Sequence, residues 1–181
     1  MKNTLKICLY AFFSQMILVR CHTPSPPENS GKNSQEVIAP ATDTLPRVTG
    51  IGGIFFKAKD RKAMQLWYGE NLGMKVDDFG APFEFRNANN PEESNFLNWD
   101  AFPDTTSYFA PSEKEFMINY RVQNIEGMVK KLEANGATIL DEIVSYPYGK
   151  FVHVLDLEGN KIELWEPVDS VLAEMGREAN K

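Results

Sequence analysis

Apolar and polar positions alternate in two rhythms along this chain, and the changes of rhythm mark its elements. In the stretch GKFVHVLDLEGNKIELWEP (149–167), Phe151, His153 and Leu155 alternate with Val152, Val154 and Asp156. Glu158, Gly159 and Asn160 supply turn chemistry, and the segment from Lys161 to Trp165 alternates again. The pattern predicts a β-hairpin. Every second side chain of a strand points the same way, so Ile162 and Leu164 share one face of its second strand, and Lys161, Glu163 and Trp165 share the other. A carboxylate sharing a face with a tryptophan is a candidate for a cavity wall. A solvated glutamate on a half-exposed sheet would give the same pattern.

Upstream, VTGIGGIFFKA (48–58) predicts a strand loosened by Gly50, Gly52 and Gly53, positions where backbone or ligand can approach closely. Asp60 is placed as an N-cap, Met64, Trp67, Tyr68 and Leu72 fall at helical spacing, and Gly73 stops the helix. Strands are expected over 74–79, 82–86 and 95–102, the last with its register open, so that Asn98 and Asp100 both remain candidates for the inner face. The connection 103–113 is either a linker or a flap over a pocket. Residues 115–122 predict a strand with Met117, Asn119 and Arg121 on one face. Asn124 then caps a helix carrying Ile125, Met128, Val129 and Leu132, ending at Gly136. A strand over 138–144, a turn at 145–148 and the hairpin follow, and the tail 169–181 predicts a short helix.

The order strand, capped helix, glycine stop and three strands thus occurs twice. Two such βαβββ modules predict an α+β fold in which one eight-stranded mixed sheet curls around a cavity, with the helices outside.

Composition narrows the context. With 181 residues, 43% hydrophobic and 24% charged, the chain suits one folded domain, placed at 47–168. A net charge of −6 argues against a nucleic-acid partner, because little here would replace condensed counterions. Cys8 and Cys21 both precede the folded part, so neither a disulfide framework nor a thiolate metal site is available to it. Residues 1–20 read as an export signal: Lys2 and Lys6, then an apolar run from Ile7 to Val19 too short to span a bilayer. Leu18-Val19-Arg20-Cys21 resembles the lipobox of bacterial lipoproteins, with Cys21 the acylated residue, although Arg20 replaces the small residue of that pattern. Residues 21–46 read as a flexible tether. The expectation is an exported bacterial protein, periplasmic or held on a membrane by its lipid.

The segments NGATIL and YGKFVHVLDLEGNKIELWEP resemble the vicinal oxygen chelate superfamily, which includes glyoxalase I, bleomycin-resistance proteins, fosfomycin-modifying enzymes and extradiol dioxygenases. The resemblance runs from about Val48 to Pro167. In metal-dependent members, the first and last strands of each module supply the ligands; Glu163 is the one residue that matches, and Asn98 or Asp100 stands at the fourth-strand position, depending on its register. The first-strand positions fall on Gly53, which has no side chain, and on Met117, whose thioether suits soft metals, so the resemblance argues against a standard divalent site. Extradiol iron needs two histidines and a carboxylate, and the domain holds His153 alone.

His153 resembles the acid/base residue of the dioxygenases, which makes Glu163 and His153 the catalytic candidates; a histidine satisfied by a backbone partner is the alternative. Asn119, Arg121, Trp165 and Phe55, with Trp99, are the ligand-binding candidates. Arg121 either clamps a carboxylate or phosphate or is engaged in an internal ion pair with Glu163 or Glu84. The resemblance implies a glyoxalase-like protein that binds a small organic molecule in its sheet cavity, as a lyase or isomerase with a degenerate metal site. A non-catalytic, drug-sequestering module of bleomycin-resistance type is the alternative, and a domain whose cavity is filled by its own side chains is a third reading. A homodimer is compatible with each.

Overall fold

The computed structural model describes residues 43–181; the expected export signal, Cys21 and the expected tether as far as residue 42 lie outside them. Strand β1 (Arg47–Ala58) leads into helix α1 (Arg61–Leu72), then β2 (Ala81–Arg86) and β3 (Ser94–Pro103). The second half runs β4 (Phe116–Gln123), α2 (Ile125–Ala134), β5 (Thr138–Ile139), β6 (Val144–Tyr146), β7 (Gly149–Leu155) and β8 (Lys161–Pro167), and closes with α3 (Asp169–Glu174). The sheet order is β2-β3-β1-β4-β8-β7-β5, with β6 beside β5 on the edge of β7. The β1/β3 and β4/β8 pairs are parallel and the others antiparallel, so the eight strands form one mixed sheet in an α+β fold.

The caps act as their side chains dictate. Asp60 accepts the Ala63 N–H at 2.9 Å, and Gly73 ends α1 at φ 69°, a left-handed conformation that glycine enters without steric cost. Asn124 accepts from Gly127 at 2.9 Å to start α2. Both helices cover one face of the sheet. Val122, Val152, Val154 and Leu164 pack against Ile125 and Met128 of α2, while Ala58, Ala81, Trp99 and Ala101 pack with Met64 and Tyr68 of α1.

Trp99 therefore does not wall the inner face. Its place in β3 turns it toward α1, with ring centroids 5.1 Å from Phe56 and 4.5 Å from Tyr68.

Two expected strands differ. The first, over 74–79, is replaced by a tight turn in which Asp77 and Gly80 exchange backbone hydrogen bonds of 2.9 and 3.1 Å and the Asp77 carboxylate takes the Phe79 N–H. The second, over 138–144, splits into β5 and β6 because the Asp141 carboxylate takes the His153 N–H at 2.7 Å, where a strand carbonyl would otherwise stand. Ser145 and Tyr146 extend the strand where a turn was expected, and the chain reverses just after them. The first unit consequently supplies three strands and the second five.

Candidate functional site

Register carries five residues across the inner face in one row. Asn98 of β3 lies beside Gly53 of β1, Gly53 beside Asn119 of β4, Asn119 beside Glu163 of β8, and Glu163 beside His153 of β7. Because side chains alternate, these positions share the face away from the two covering helices.

Glu163 is the hub of the row. Its Oε1 accepts the Asn119 side-chain N–H at 2.6 Å, and its Oε2 faces His153 Nε2 at 2.9 Å and accepts the Tyr108 hydroxyl. On its other side, His153 Nδ1 lies 2.6 Å from Asp141 Oδ2. Side-chain exposure rises along this chain, from 4% at Glu163 and 11% at His153 to 42% at Asp141. It therefore connects a buried carboxylate to solvent through one imidazole.

The imidazole is held between two carboxylates. Burial opposes its charge most strongly, yet hydrogen bonds to Glu163 and Asp141 and the nearby Glu163 charge outweigh that cost and lift His153 above the ordinary histidine value. Burial and the Glu163 charge push the Tyr108 phenol far above the ordinary tyrosine value, so Tyr108 stays protonated and donates. Lys161 donates to the Tyr108 carbonyl at 2.7 Å and lies 4.9 Å over its ring; burial lowers this amine below an ordinary lysine, against the pull of Asp141 and Glu163.

Tyr108 belongs to the connection between β3 and β4, which folds over the inner face as a flap. Phe109, fully buried, packs with Phe55 and Met117, and Tyr108 stacks on Phe102 with centroids 5.5 Å apart. Phe55 thus sits beneath Phe109 as core instead of lining an open cavity. Trp165 stacks on Phe151 at 5.7 Å and donates to the Tyr148 carbonyl at 3.2 Å. Arg121, nearly fully buried, lies 5.3 Å over the Trp165 ring and pairs with Asp169 of α3, not with Glu163 or Glu84. The wide hollow expected at the sheet's centre is occupied by the flap and by α3. Between α3 and the sheet remains a cavity of about 50 Å³ lined by Phe96, Asn98, Trp165, Leu172, Met175 and Arg177. A larger hollow of about 610 Å³ lies on the far side against α1, away from the polar row.

No protein-family model and no curated protein matches the sequence. Solved structures match its fold. A Vibrio splendidus 12B01 member of the glyoxalase/bleomycin resistance protein/dioxygenase superfamily aligns at 15% identity over 67% of this chain and 98% of its own, with a TM-score of 0.40. A Streptomyces coelicolor methylmalonyl-CoA epimerase bound to 2-nitronate-propionyl-CoA reaches 0.51 at 14% identity, over 67% of this chain and 99% of the epimerase. A methylmalonyl-CoA epimerase bound to methylmalonyl-CoA and NH4+ also reaches 0.51 at 14% identity, over 74% and 100%. The protein has the vicinal oxygen chelate fold.

At such identities the likeness extends to the fold alone, so the chemistry of the site rests on its own residues. They do not fit a divalent ion. Gly53 offers no donor, Met117 is a thioether buried among Phe55 and Phe109 and stands two residues from the row, where Asn119 takes the expected place with a neutral amide, and both oxygens of Glu163 are already engaged. Among the described residues, no three carboxylate, histidine or cysteine groups converge as ligands would.

Sequence reasoning placed Glu163, His153 and Asn119 together and offered a flap as one reading of the connection that holds Tyr108, but it did not single out Asp141 or the contact of Tyr108 with Glu163. Their signals were present: Asp141 and Glu142 stand between the apolar pairs Ile139–Leu140 and Ile143–Val144, and the aromatic pair Tyr108–Phe109 stands in an otherwise polar connection.

Proposed function

We propose that this protein binds a small organic molecule on the inner face of its sheet and moves a proton at it, with Glu163 as the base and His153 as the group that holds and relays charge. One observation carries the reading: a hydrogen-bonded path leads from buried Glu163 through His153 to half-exposed Asp141. A purely structural ion pair needs no outlet to solvent, whereas a carboxylate that repeatedly gains and loses a proton does.

In the resting protein, Tyr108 donates to the Glu163 oxygen that also faces His153. A ligand engages that oxygen when the flap withdraws the phenol. The substrate class is a carbonyl compound with an acidic adjacent C–H. Glu163 accepts that proton while the C–H electron pair delocalises onto the carbonyl oxygen, and the proton then returns to carbon or exchanges with water along His153 and Asp141. Asp141, bonded at Nδ1, holds the ring so that Nε2 addresses Glu163. Such a reaction is an isomerisation or epimerisation.

A second reading, a binding module without chemistry, is favoured by how completely the flap and α3 fill the inner face.

Deuterium wash-in from D2O separates the two readings. Small 2-oxo acids, 2-hydroxy ketones and acyl thioesters are incubated with the protein and followed by proton NMR. The proposal expects exchange at the carbon beside the carbonyl in at least one class, falling by about 100-fold or more in Glu163→Gln, the scale of a lost general base. Ligand-induced shifts without exchange would support the binding module. Exchange that Glu163→Gln leaves intact would remove Glu163 from the reaction.

A further inference from the structure

The half of the inner face away from Glu163 is covered by α3 and the residues after it. This cover is weakly built. Helix α3 has six residues, no side-chain cap and no buried residue, and the 50 Å³ cavity lies beneath it. Polar latches hold the segment: Arg177 makes two 2.8 Å hydrogen bonds to Asp77, Asn180 exchanges 2.8 Å backbone bonds with the edge of β2, and Asp169 sits on Arg121.

The Asp169 pairing is incomplete. Arg121 uses Nη1 on the Phe96 carbonyl at 2.9 Å and Nη2 on Asp169 Oδ2, while Asp169 Oδ1 is buried with no partner. Arginine and carboxylate fit best with two parallel hydrogen bonds, so this single-pronged pair leaves part of the guanidinium's capacity unused and costs the desolvation of an orphaned oxygen. The guanidinium itself is well prepared, flanked by Trp165 at 5.3 Å and Phe85 at 5.8 Å. Arg121 and Trp165 follow Asn119 and Glu163 by two residues in the same parallel register, an offset of about 6.6 Å at an ordinary strand rise.

We propose that Arg121 is a carboxylate-binding subsite, and that Asp169 occupies it as an internal stand-in until a ligand carboxylate displaces the C-terminal segment. Trp165 and Phe85 make the seat suit a flat, small organic acid. The proposal rests on the reading that ligands bind the inner face, and it adds their class: a carboxylic acid whose reactive carbon lies one strand-pair offset away, within reach of Glu163.

Benzoate is the probe, and hydrogen exchange of residues 169–181 in the full chain, read by mass spectrometry, is the first measurement. Saturating benzoate should speed exchange in this segment at least threefold. Unchanged exchange would overturn the proposal, and an equal response to inorganic phosphate would overturn the carboxylate assignment. Calorimetric titration supplies the second test. Asp169→Asn should bind benzoate at least tenfold more tightly than wild type, and adding Arg121→Gln should abolish the gain. Should Asp169→Asn fail to fold, Arg177→Gln loosens another of the three latches without touching Arg121 and should also tighten binding; no tightening there overturns the idea. Benzoate binding that depends on Arg121, with no deuterium exchange in any carbonyl compound, would leave the subsite standing while removing the proton-transfer function. Glu163-dependent exchange with no benzoate effect would do the opposite.

Discussion

Replacing Glu163 by leucine is expected to lower folding stability by about 3–5 kcal/mol, the usual cost of removing one partner from a buried charged pair. The leucine would leave three donors facing an apolar side chain: the His153 imidazolium, the Asn119 amide and the Tyr108 hydroxyl. The loss should depend on pH. Because the folded state raises the His153 pKa, the stabilisation from Glu163 is fully present below the unfolded histidine value of about 6.5 and is lost as pH rises through the higher folded value. Urea denaturation should therefore show a larger difference between wild type and Glu163→Leu near pH 6 than near pH 9. Glu163→Gln, which keeps the shape and one acceptor, should cost less. A Glu163→Leu penalty below about 1 kcal/mol, independent of pH, would mean that the hub is not buried and charged as described.

Alanine at Gly52 is the second large perturbation. A Cβ there would stand 2.2 Å from Asn119 Oδ1, 2.7 Å from Trp165 Cε3 and 3.0 Å from Arg121 Cγ, so three side chains of the inner face converge on the space that glycine leaves open. None of them can retreat freely, since Asn119 holds Glu163, Trp165 is stacked on Phe151 and Arg121 is paired with Asp169. Overpacking of this kind costs about 1–3 kcal/mol. Deuterium exchange should fall as well, because displacing Asn119 unseats Glu163. The control lies two residues away: a Cβ on Gly50 would meet only Arg121 Cδ at 3.8 Å, ordinary contact, so Gly50→Ala should melt close to wild type. Equal behaviour of the two variants would contradict the convergence at Gly52.

What could be read from the sequence was set by local rules. Period-2 alternation put Glu163 on a face with Lys161 and Trp165, the family resemblance brought His153 to it, period 3.6 and the Asp60 and Asn124 caps placed both helices, and three glycines in β1 marked a point of close approach. The rest depended on contacts between segments far apart in the chain. Trp99 faces α1 because β3 pairs in parallel with β1 in one particular register, which no pattern within 95–102 encodes. Arg121 finds Asp169 only because the tail folds back over the sheet. Met74–Phe79 has the composition of a strand, but Asp77 draws it into a turn by bonding the Phe79 N–H and, through Arg177, the tail. Tyr108 reaches Glu163 because Phe109 anchors the flap in an apolar pocket, an energetic preference invisible to local alternation.

The state of one imidazole tests all of this most directly. The chain has two histidines, His22 and His153, so the ring resonances of His153 can be assigned and titrated by NMR without ambiguity. The described geometry predicts a midpoint above the ordinary histidine value of about 6.5, falling in both Glu163→Gln and Asp141→Asn. A midpoint at or below that value, indifferent to both substitutions, would show that His153 is not held between two carboxylates, and the proton path from Glu163 to solvent would not exist.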